Sequence, residues 1–223
     1  MSFQQGWLCC VAQWPDTWYT PLSFEPVPER KSMSVLSHDE LISRVVSQKV
    51  LAHRDGDRLV EIDFNQVNSA SIDIRLGATI LVETVSPASS LVIDYRKREA
   101  LAVRSVEMDP EEGYVLRPNE FILAQSQEIF HLPNNLSCEY KLKSSMARIG
   151  LEHLNAGWCD AGWHGSVLTL ELVNITLYHS IRLRPGDSIG QMVFYDHVPV
   201  PENRSYAARG RYNKDTTVHG IKK

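Results

Sequence analysis

Two carboxylates are candidates for catalysis because of the segments that contain them. Asp160 lies within the glycine-rich run Asn-Ala-Gly-Trp-Cys-Asp-Ala-Gly-Trp-His-Gly at 155–165, which predicts a hairpin. Glu171 follows in the middle of the apolar run Val-Leu-Thr-Leu-Glu-Leu-Val at 167–173. An ionised glutamate is costly to bury there, so it requires either a partner or a raised pKa. Carboxylates of this kind can move protons to and from water, although an isolated case is more often a structural salt bridge.

A second group of polar residues could bind an anion. Ser144 and Ser145 carry hydroxyl donors, and Lys143 and Arg148 place a basic group on each side of them. Hydroxyl and backbone N–H groups donate to phosphate oxygens, and a guanidinium adds a charge-assisted fork. The same pattern also fits a serine-capped helix start in a protein that binds no ligand.

The residues at 69–77, Ser-Ala-Ser-Ile-Asp-Ile-Arg-Leu-Gly, alternate between apolar and polar types. This alternation predicts a half-buried strand. Its inward side chains are Ile72, Ile74 and Leu76, and its outward ones are Asp73 and Arg75. Taken alone, the segment is an ordinary structural strand.

Short β-like runs separated by turn residues must position these side chains. They lie at 71–76, 79–85, 113–116, 121–127, 167–173 and 188–195, with glycine or proline between them. Such spacing predicts a sandwich, jelly roll or barrel rather than alternating βαβ units. A capping box of Ser37 and Glu40 predicts one short N-terminal helix at about 37–48. A further helical turn is expected within 142–149.

Composition divides the chain of 223 residues into three parts. Residues 1–32 hold three of the five tryptophans and four prolines without a clear period, which predicts a weakly structured extension. This extension is either loosely docked or the product of a start codon upstream of Met33. Residues 33–212 form the main domain, and residues 213–223 are expected to be a flexible C-terminal tail.

Charge and cysteine content exclude several classes of protein. A formal net charge of −4 argues against a protein that coats nucleic acid.

No apolar run approaches the roughly 18 residues that a transmembrane helix needs, so no membrane partner is predicted. Four cysteines without framework spacing favour a reducing, cytoplasmic location. The zinc deaminase signature, His-x-Glu followed by Pro-Cys-x-x-Cys, is absent from the sequence, so no catalytic zinc and no protein-held metal are expected.

Five segments in a particular order resemble a known family. They are Ala-Ser-Ile-Asp-Ile-Arg-Leu-Gly at 70–77, Ser-Ser-Met-Ala-Arg-Ile-Gly-Leu at 144–151, Ala-Gly-Trp-Cys-Asp-Ala-Gly-Trp at 156–163, Leu-Thr-Leu-Glu at 168–171 and Arg-Pro-Gly-Asp-Ser-Ile-Gly-Gln at 184–191. Together they closely resemble the dCTP deaminase and trimeric dUTPase superfamily over residues 33–212. The resemblance implies a mainly β, distorted jelly roll of the dUTPase type that assembles as a homotrimer with active sites between subunits.

The resemblance also implies roles for individual residues. Glu171 corresponds to the general base and acid of the deaminases, and Asp160 to the aspartate that orients water towards the α-phosphorus. Ser144 and Arg148 belong to a phosphate cradle that one chain presents to its neighbour. Further substrate contacts are implied at Lys143, Ser145, Ala156, Trp158, Gln191, Tyr206, Arg211, Tyr212 and Lys214. Mg²⁺ is expected to accompany the substrate triphosphate, held mainly by phosphates and water.

The main expectation is zinc-independent deamination of dCTP, or of a related deoxynucleoside triphosphate, to the uracil nucleotide. Ala156-Gly-Trp158 and Gln191 resemble bifunctional enzymes instead, which would carry dCTP through dUTP to dUMP and pyrophosphate. The sequence is also compatible with a deaminase for a modified deoxycytidine nucleotide, and with a nucleotide-binding trimer without turnover.

Three departures from the family pattern have structural consequences. Lys143 stands where the family has arginine, and the tail after Arg211-Tyr212 lacks the family's glutamine. The chain is one residue short between Gly150 and Ala156 and one residue long between Gly165 and Glu171. An odd insertion reverses which side chains face the core unless a β-bulge absorbs it.

Overall fold

The computed structural model describes residues 34–55, 58–85 and 92–222. The extension predicted at 1–32 and the start predicted at Met33 lie outside the described residues. Within the described part, no helix is long and apolar enough to cross a membrane.

Strands dominate the described residues. They are β1 (Ser34–Val35), β2 (Leu51–Asp55), β3 (Arg58–Glu61), β4 (Ile72–Arg75), β5 (Thr79–Glu83), β6 (Val103–Glu107), β7 (Tyr114–Leu116), β8 (Phe121–His131), β9 (Leu136–Leu142), β10 (Leu151–Glu152), β11 (Trp158–Cys159), β12 (His164–Asn174), β13 (Ile181–Leu183) and β14 (Ser188–Asp196). The helical pieces are α1 (His38–Glu40), which continues as a π-helix over Leu41–Val46, α2 (Ser144–Arg148) and α3 (Tyr206–Arg209). Single 3₁₀ turns lie at Phe64–Gln66, Tyr95–Lys97 and Glu202–Arg204.

Two antiparallel sheets enclose the core. One contains β1, β14, β9 and β11 in that order, with β4 also paired to β14. The other runs β10-β12-β8-β2-β3, with β5 paired to both β8 and β6. A separate two-stranded sheet joins β13 to β7. The mainly β fold is confirmed.

The strand predicted before Gly77 has the expected faces. Ile72, Ile74 and Leu76 are completely buried, as period-2 alternation requires when one face of a strand meets the core. Asp73 and Arg75 point the other way. Asp73 accepts hydrogen bonds there from the side chains of Asn68 and Ser188.

The short N-terminal helix is also confirmed. Ser37 and Glu40 form the predicted capping box, in which the Glu40 carboxylate accepts from the Ser37 backbone N–H at 3.0 Å. After the first turn the helix widens into the π-helical stretch, whose Leu41, Val45 and Val46 are fully buried. The helical turn predicted within 142–149 is α2.

A β-bulge lies near the start of β12, before Glu171. His164 is opposite His131 while Ser166 is opposite Phe130, so Gly165 is the additional residue. Gly165 has φ +67°, a left-handed conformation that glycine adopts readily. A second register shift follows between Val167 and Thr169. Beyond it, even-numbered residues of β12 face the core and odd-numbered residues, including Glu171, face the opposite side.

The hairpin predicted at 155–165 is wrong. β11 pairs with β9, through Trp158 opposite Glu139 and Cys159 opposite Cys138, whereas β12 pairs with β8 and β10. The intervening turn, closed by a bond from Trp163 N–H to the Asp160 carbonyl at 3.2 Å, therefore carries the chain from one sheet to the other. Glycines and polar residues mark a turn, but they do not determine which strands pair on either side of it.

The sequence predicts a flexible C-terminal tail, but the structure places residues 213–222 against the domain. Lys214 N–H donates to the His164 carbonyl at 3.0 Å, and Val167 N–H donates to the Asp215 carbonyl at 2.8 Å. Val218 is buried, with 4% of its surface exposed. The bulge at Gly165 leaves backbone groups of β12 free for this pairing, which a polar tail sequence does not reveal.

Candidate functional site

One cavity, with a volume of about 330 Å³, brings together the two carboxylates identified in the sequence. Asp160 enters it from the turn after β11, and Glu171 from the outward face of β12. The apolar part of its wall is formed by Leu123, Trp163, Val167, Leu168 and Ile221. Two acids with different surroundings therefore border a single, largely apolar space.

Glu171 is half-buried in this wall, opposite Leu123 of β8. Burial raises the pKa of the Glu171 carboxyl above its usual 4.5, and hydrogen bonding to its own backbone opposes part of that rise. Among the described residues, no charged side chain contributes to this pKa shift. A carboxyl with a raised pKa is suited to both accepting and releasing a proton.

Asp160 is exposed and is held by its neighbour two residues earlier. The indole Nε1 of Trp158 donates to Oδ1 of Asp160 at 2.9 Å. The strand carrying Trp158 lies so close to β9 that only glycine fits at position 157. A Cβ there would come within 2.5 Å of the Tyr140 carbonyl oxygen. The Ala-Gly-Trp sequence thus gives the close strand approach that places the indole beside the carboxylate.

The C-terminal segment forms the remaining wall of the cavity. Tyr206 and Tyr212 were predicted from the sequence, whereas Asp215, His219 and Gly220 were not. The Tyr212 carbonyl accepts from Trp163 Nε1 at 2.6 Å and from the Ser166 hydroxyl at 2.9 Å.

Contacts within the segment hold it together. The ring of His219 stacks on Tyr212 with centroids 5.9 Å apart. His219 Nε2 also lies 2.9 Å from Oδ2 of Asp215, a contact that lacks hydrogen-bond alignment. The Lys222 ammonium pairs with the other oxygen of Asp215. The available sequence signal was Asp215, the only acidic residue at 213–223, with Lys214 before it and His219 and Lys222 after it.

The predicted phosphate cradle lies elsewhere on the chain. Ser144, Ser145 and Arg148 are exposed on α2. Arg148 lines an open cleft with Gly150, Thr176, His179 and Arg182, and none of the described residues lines both this cleft and the cavity.

Lys143, at the start of α2, already has partners within the chain. Its ammonium lies 2.5 Å from Oδ2 of Asp73 and 3.2 Å from the Ser188 hydroxyl. This pairing ties the cradle to β4 and β14.

The remaining predicted contacts are dispersed. Ala156, Arg211 and Lys214 are exposed. Gln191 lies on β14, where its side-chain oxygen accepts from the Ser71 hydroxyl at 3.3 Å.

Sequence reasoning missed the buried acid Glu128 of β8. Its carboxylate accepts from Gln66 Nε2 at 2.9 Å and from the Arg75 backbone N–H at 3.1 Å. Burial raises the pKa of Glu128 to about 7, and these hydrogen bonds limit the rise. Glu128 stands directly before the apolar residues Ile129 and Phe130. An acid beside apolar residues, as at Glu171, was the sequence signal that could have identified it.

Over the described ranges, no group of three or more His, Cys, Asp or Glu side chains is placed to hold a metal ion.

The fold agrees with comparisons to known proteins. A family model described as dCTP deaminase-like matches residues 36–197. The chain belongs to this family.

Curated relatives share its sequence over most of their length. A protein of Sulfurihydrogenibium sp. named dCTP deaminase, dUMP-forming, is 31% identical over 189 residues, which are 84% of this chain and 97% of that protein. A protein of the same name from Persephonella marina is 33% identical over 72% of this chain and 86% of its own length. Another, from Methanospirillum hungatei, is 40% identical over 56% of this chain and 65% of its own length.

Among solved structures, the 2'-deoxycytidine 5'-triphosphate deaminase of Agrobacterium tumefaciens has a similar fold. It superposes with a TM-score of 0.55 at 22% identity, covering 74% of this chain and 49% of that one.

Proposed function

We propose that this protein converts dCTP to dUMP, ammonia and pyrophosphate in two hydrolytic steps, acting in the cytoplasm. The observation that carries the proposal is that Glu171 and Asp160 border one cavity. The names of the curated relatives, which end in dUMP-forming, favour this two-step activity over deamination alone.

In the first step, Glu171 acts as general base and then general acid. Its carboxylate takes a proton from water, and the resulting hydroxide adds to C4 of cytosine. Glu171 passes that proton to N3, then takes the proton of the new C4 hydroxyl and transfers it to the amino group. The C4–N bond breaks, so ammonia leaves and dUTP remains. The raised pKa of Glu171 supports this role because one group must both accept and release a proton.

In the second step, Asp160 orients a water for attack on the α-phosphorus of dUTP. A bond forms between the water oxygen and phosphorus, the bond to the bridging oxygen breaks, and pyrophosphate leaves. Asp160 is exposed, and its second oxygen, Oδ2, remains for that water while Oδ1 accepts from Trp158.

The triphosphate enters as its Mg²⁺ complex. Mg²⁺ keeps several waters and binds through phosphates with few protein ligands, so the absence of a carboxylate cage among the described residues is compatible with it.

A homotrimer completes the site in this proposal. The cradle on α2 is exposed, and it is surrounded by apolar side chains that a single chain leaves in solvent. Ile149 and Ile175, which line the same cleft as Arg148, are 50% and 58% exposed. Exposed apolar groups beside a polar cleft are typical of a subunit interface. Arg148 and Ser144 of one chain would then contact the phosphates of a nucleotide in the neighbour's cavity.

The test is to separate the products of the wild-type enzyme and two variants after incubation with dCTP or dUTP. Wild type should form dUMP from both. Glu171→Gln should lose ammonia release by about 10²-fold or more yet still hydrolyse added dUTP. Asp160→Asn should release ammonia and accumulate dUTP.

The control is the wild-type enzyme with added dUTP alone. If it leaves dUTP intact and releases dUTP stoichiometrically from dCTP, the protein is a deaminase only and Asp160 is structural.

A further inference from the structure

Trp158 contacts two different groups with two parts of its indole. The ring nitrogen donates to Oδ1 of Asp160 at 2.9 Å. The ring itself lies against Tyr195, with centroids 5.8 Å apart and planes inclined by 39°. The indole therefore connects the turn that carries Asp160 to β14.

The position of the indole is determined by the sheet beneath it. The Tyr195 hydroxyl donates to Oε2 of Glu139 at 3.1 Å, and Glu139 is the residue opposite Trp158 in β9. The Lys141 ammonium pairs with the other Glu139 oxygen. Because three strands hold this platform, the N–H of Trp158 points at Asp160 in a direction that the turn alone would not determine.

An exposed carboxylate without such a donor can rotate and exchange its two oxygens. Asp160 is exposed, while 56% of the Trp158 surface also remains accessible. A hydrogen bond to an ionised carboxylate is shorter and stronger than a neutral one, so it can select one rotamer. With Oδ1 engaged by the indole, Oδ2 is the oxygen left to accept from a water.

We infer that Trp158 is a positioning residue for Asp160 in the hydrolysis of dUTP and has no corresponding role in deamination at Glu171. This inference rests on the proposed two-step function. The water donates one proton to Oδ2 of Asp160 and directs its oxygen at the α-phosphorus. When the new bond forms, pyrophosphate leaves and the proton passes from Asp160 to solvent. The indole N–H keeps its proton throughout, so it holds Asp160 in both protonation states.

Trp158→Phe is the informative substitution, because it removes the N–H donor and retains an aromatic ring to rest on Tyr195. Hydrolysis of added dUTP should fall by about tenfold or more, since a displaced catalytic group can cost about 10²-fold. Ammonia release from dCTP should fall by a smaller factor than dUTP hydrolysis does, because the retained ring still borders the cavity and only the N–H donor to Asp160 is lost. During dCTP turnover, dUTP should therefore accumulate. Both rates are read in one sample, so their ratio does not depend on the fraction of folded enzyme.

Two further variants separate positioning from general structural damage. Tyr195→Phe keeps the ring and removes only the hydroxyl, and its dUMP-to-dUTP ratio should match wild type. The double variant Trp158→Phe/Asp160→Asn should hydrolyse dUTP no more slowly than Asp160→Asn alone, because Trp158 acts through Asp160.

Three results would overturn the inference: a wild-type product ratio in Trp158→Phe, an equal decline of both steps, or additive losses in the double variant. A wild-type enzyme that does not hydrolyse dUTP would contradict the proposed function itself, and that measurement precedes any variant.

Discussion

Glu171 and Asp160 carry the same carboxyl group on side chains that differ by one methylene, yet their surroundings are unlike. Glu171 is half-buried among leucine and valine side chains, whereas Asp160 is exposed and accepts an indole hydrogen bond. Two carboxylates in contrasting environments can perform two different proton transfers in one cavity. Local burial, rather than residue type, distinguishes the proposed roles.

The pH dependence of deamination should report the environment of Glu171. Burial raises the pKa of its carboxyl above 4.5, and a general base must be ionised to accept a proton from water. The rate of ammonia release at low dCTP concentration should therefore fall as pH is lowered through a midpoint above 4.5. A midpoint at or below 4.5 would show that the carboxyl is solvated in the working enzyme.

Glu128 should make folding stability decrease with rising pH. Its folded pKa of about 7 lies above the usual 4.5, so the folded protein binds this proton more tightly than the unfolded chain does. The stabilisation is complete below pH 4.5 and is lost as pH rises through 7. Its upper limit is about 3 kcal/mol, the free energy equivalent to the difference between the two pKa values.

Urea unfolding at several pH values can measure this effect. Glu128→Gln should flatten the dependence of the unfolding free energy between pH 4.5 and 7. Glu61→Gln, at an exposed position of β3, provides the matched control. If the unfolding free energy of Glu128→Gln changes with pH as steeply as that of the wild type, other groups cause the pH dependence.

At the scale of elements, the bulge at Gly165 determines which side chains of β12 reach the cavity. Gly165 is the additional residue, so the odd-numbered side chains that follow, Glu171 among them, face away from the core. It also creates the edge to which residues 214–215 bind.

Gly165→Ala should therefore reduce both stability and deamination. A Cβ is strained at φ +67°, and it would lie 3.4 Å from Lys214 Cγ, so a loss of about 1–2 kcal/mol in unfolding free energy is expected. Gly186→Ala is the control, because φ is +86° there and nothing lies within 4 Å of the added Cβ. The two variants should lose similar stability, but only Gly165→Ala should slow ammonia release. If both variants release ammonia at the same rate, the bulge at Gly165 does not determine the orientation of Glu171.

At the scale of the whole molecule, the cradle and the cavity are separate surfaces of one chain. A shared site then requires a second copy, which a mixing experiment can detect. Chains with Arg148→Ala and chains with Glu171→Gln should each be inactive alone. Refolded together in equal amounts, they should recover about a quarter of wild-type deamination, since random assembly pairs an intact cradle with an intact Glu171 in that fraction of interfaces.

Mixing Glu171→Gln with Glu171→Ala provides the control, because no interface in that mixture contains an intact Glu171. If the Arg148→Ala and Glu171→Gln mixture also stays inactive, the two residues serve the same site from one chain. If Arg148→Ala is active by itself, Arg148 has no role in deamination.

Much of the fold could be predicted because strand formation depends on local alternation. Ile72, Ile74 and Leu76 repeat at the period of a strand, and their burial follows from that period wherever one face meets a core. Glu171 was identifiable for a related reason, since an acid within an apolar run requires an explanation at any position in a fold.

Tertiary structure alone decided which distant elements meet. The partner of β11 is β9 rather than β12, because strand pairing depends on the packing of both sheets and not on the turn between neighbours. The same holds for Glu128, whose donors Gln66 and Arg75 lie 62 and 53 residues away. Trp158 and Asp160 are only two residues apart, but their hydrogen bond depends on the ring of Tyr195 beneath the indole. The sequence by itself determined the residue types and local periods available for chemistry, and long-range packing determined their partners and orientation.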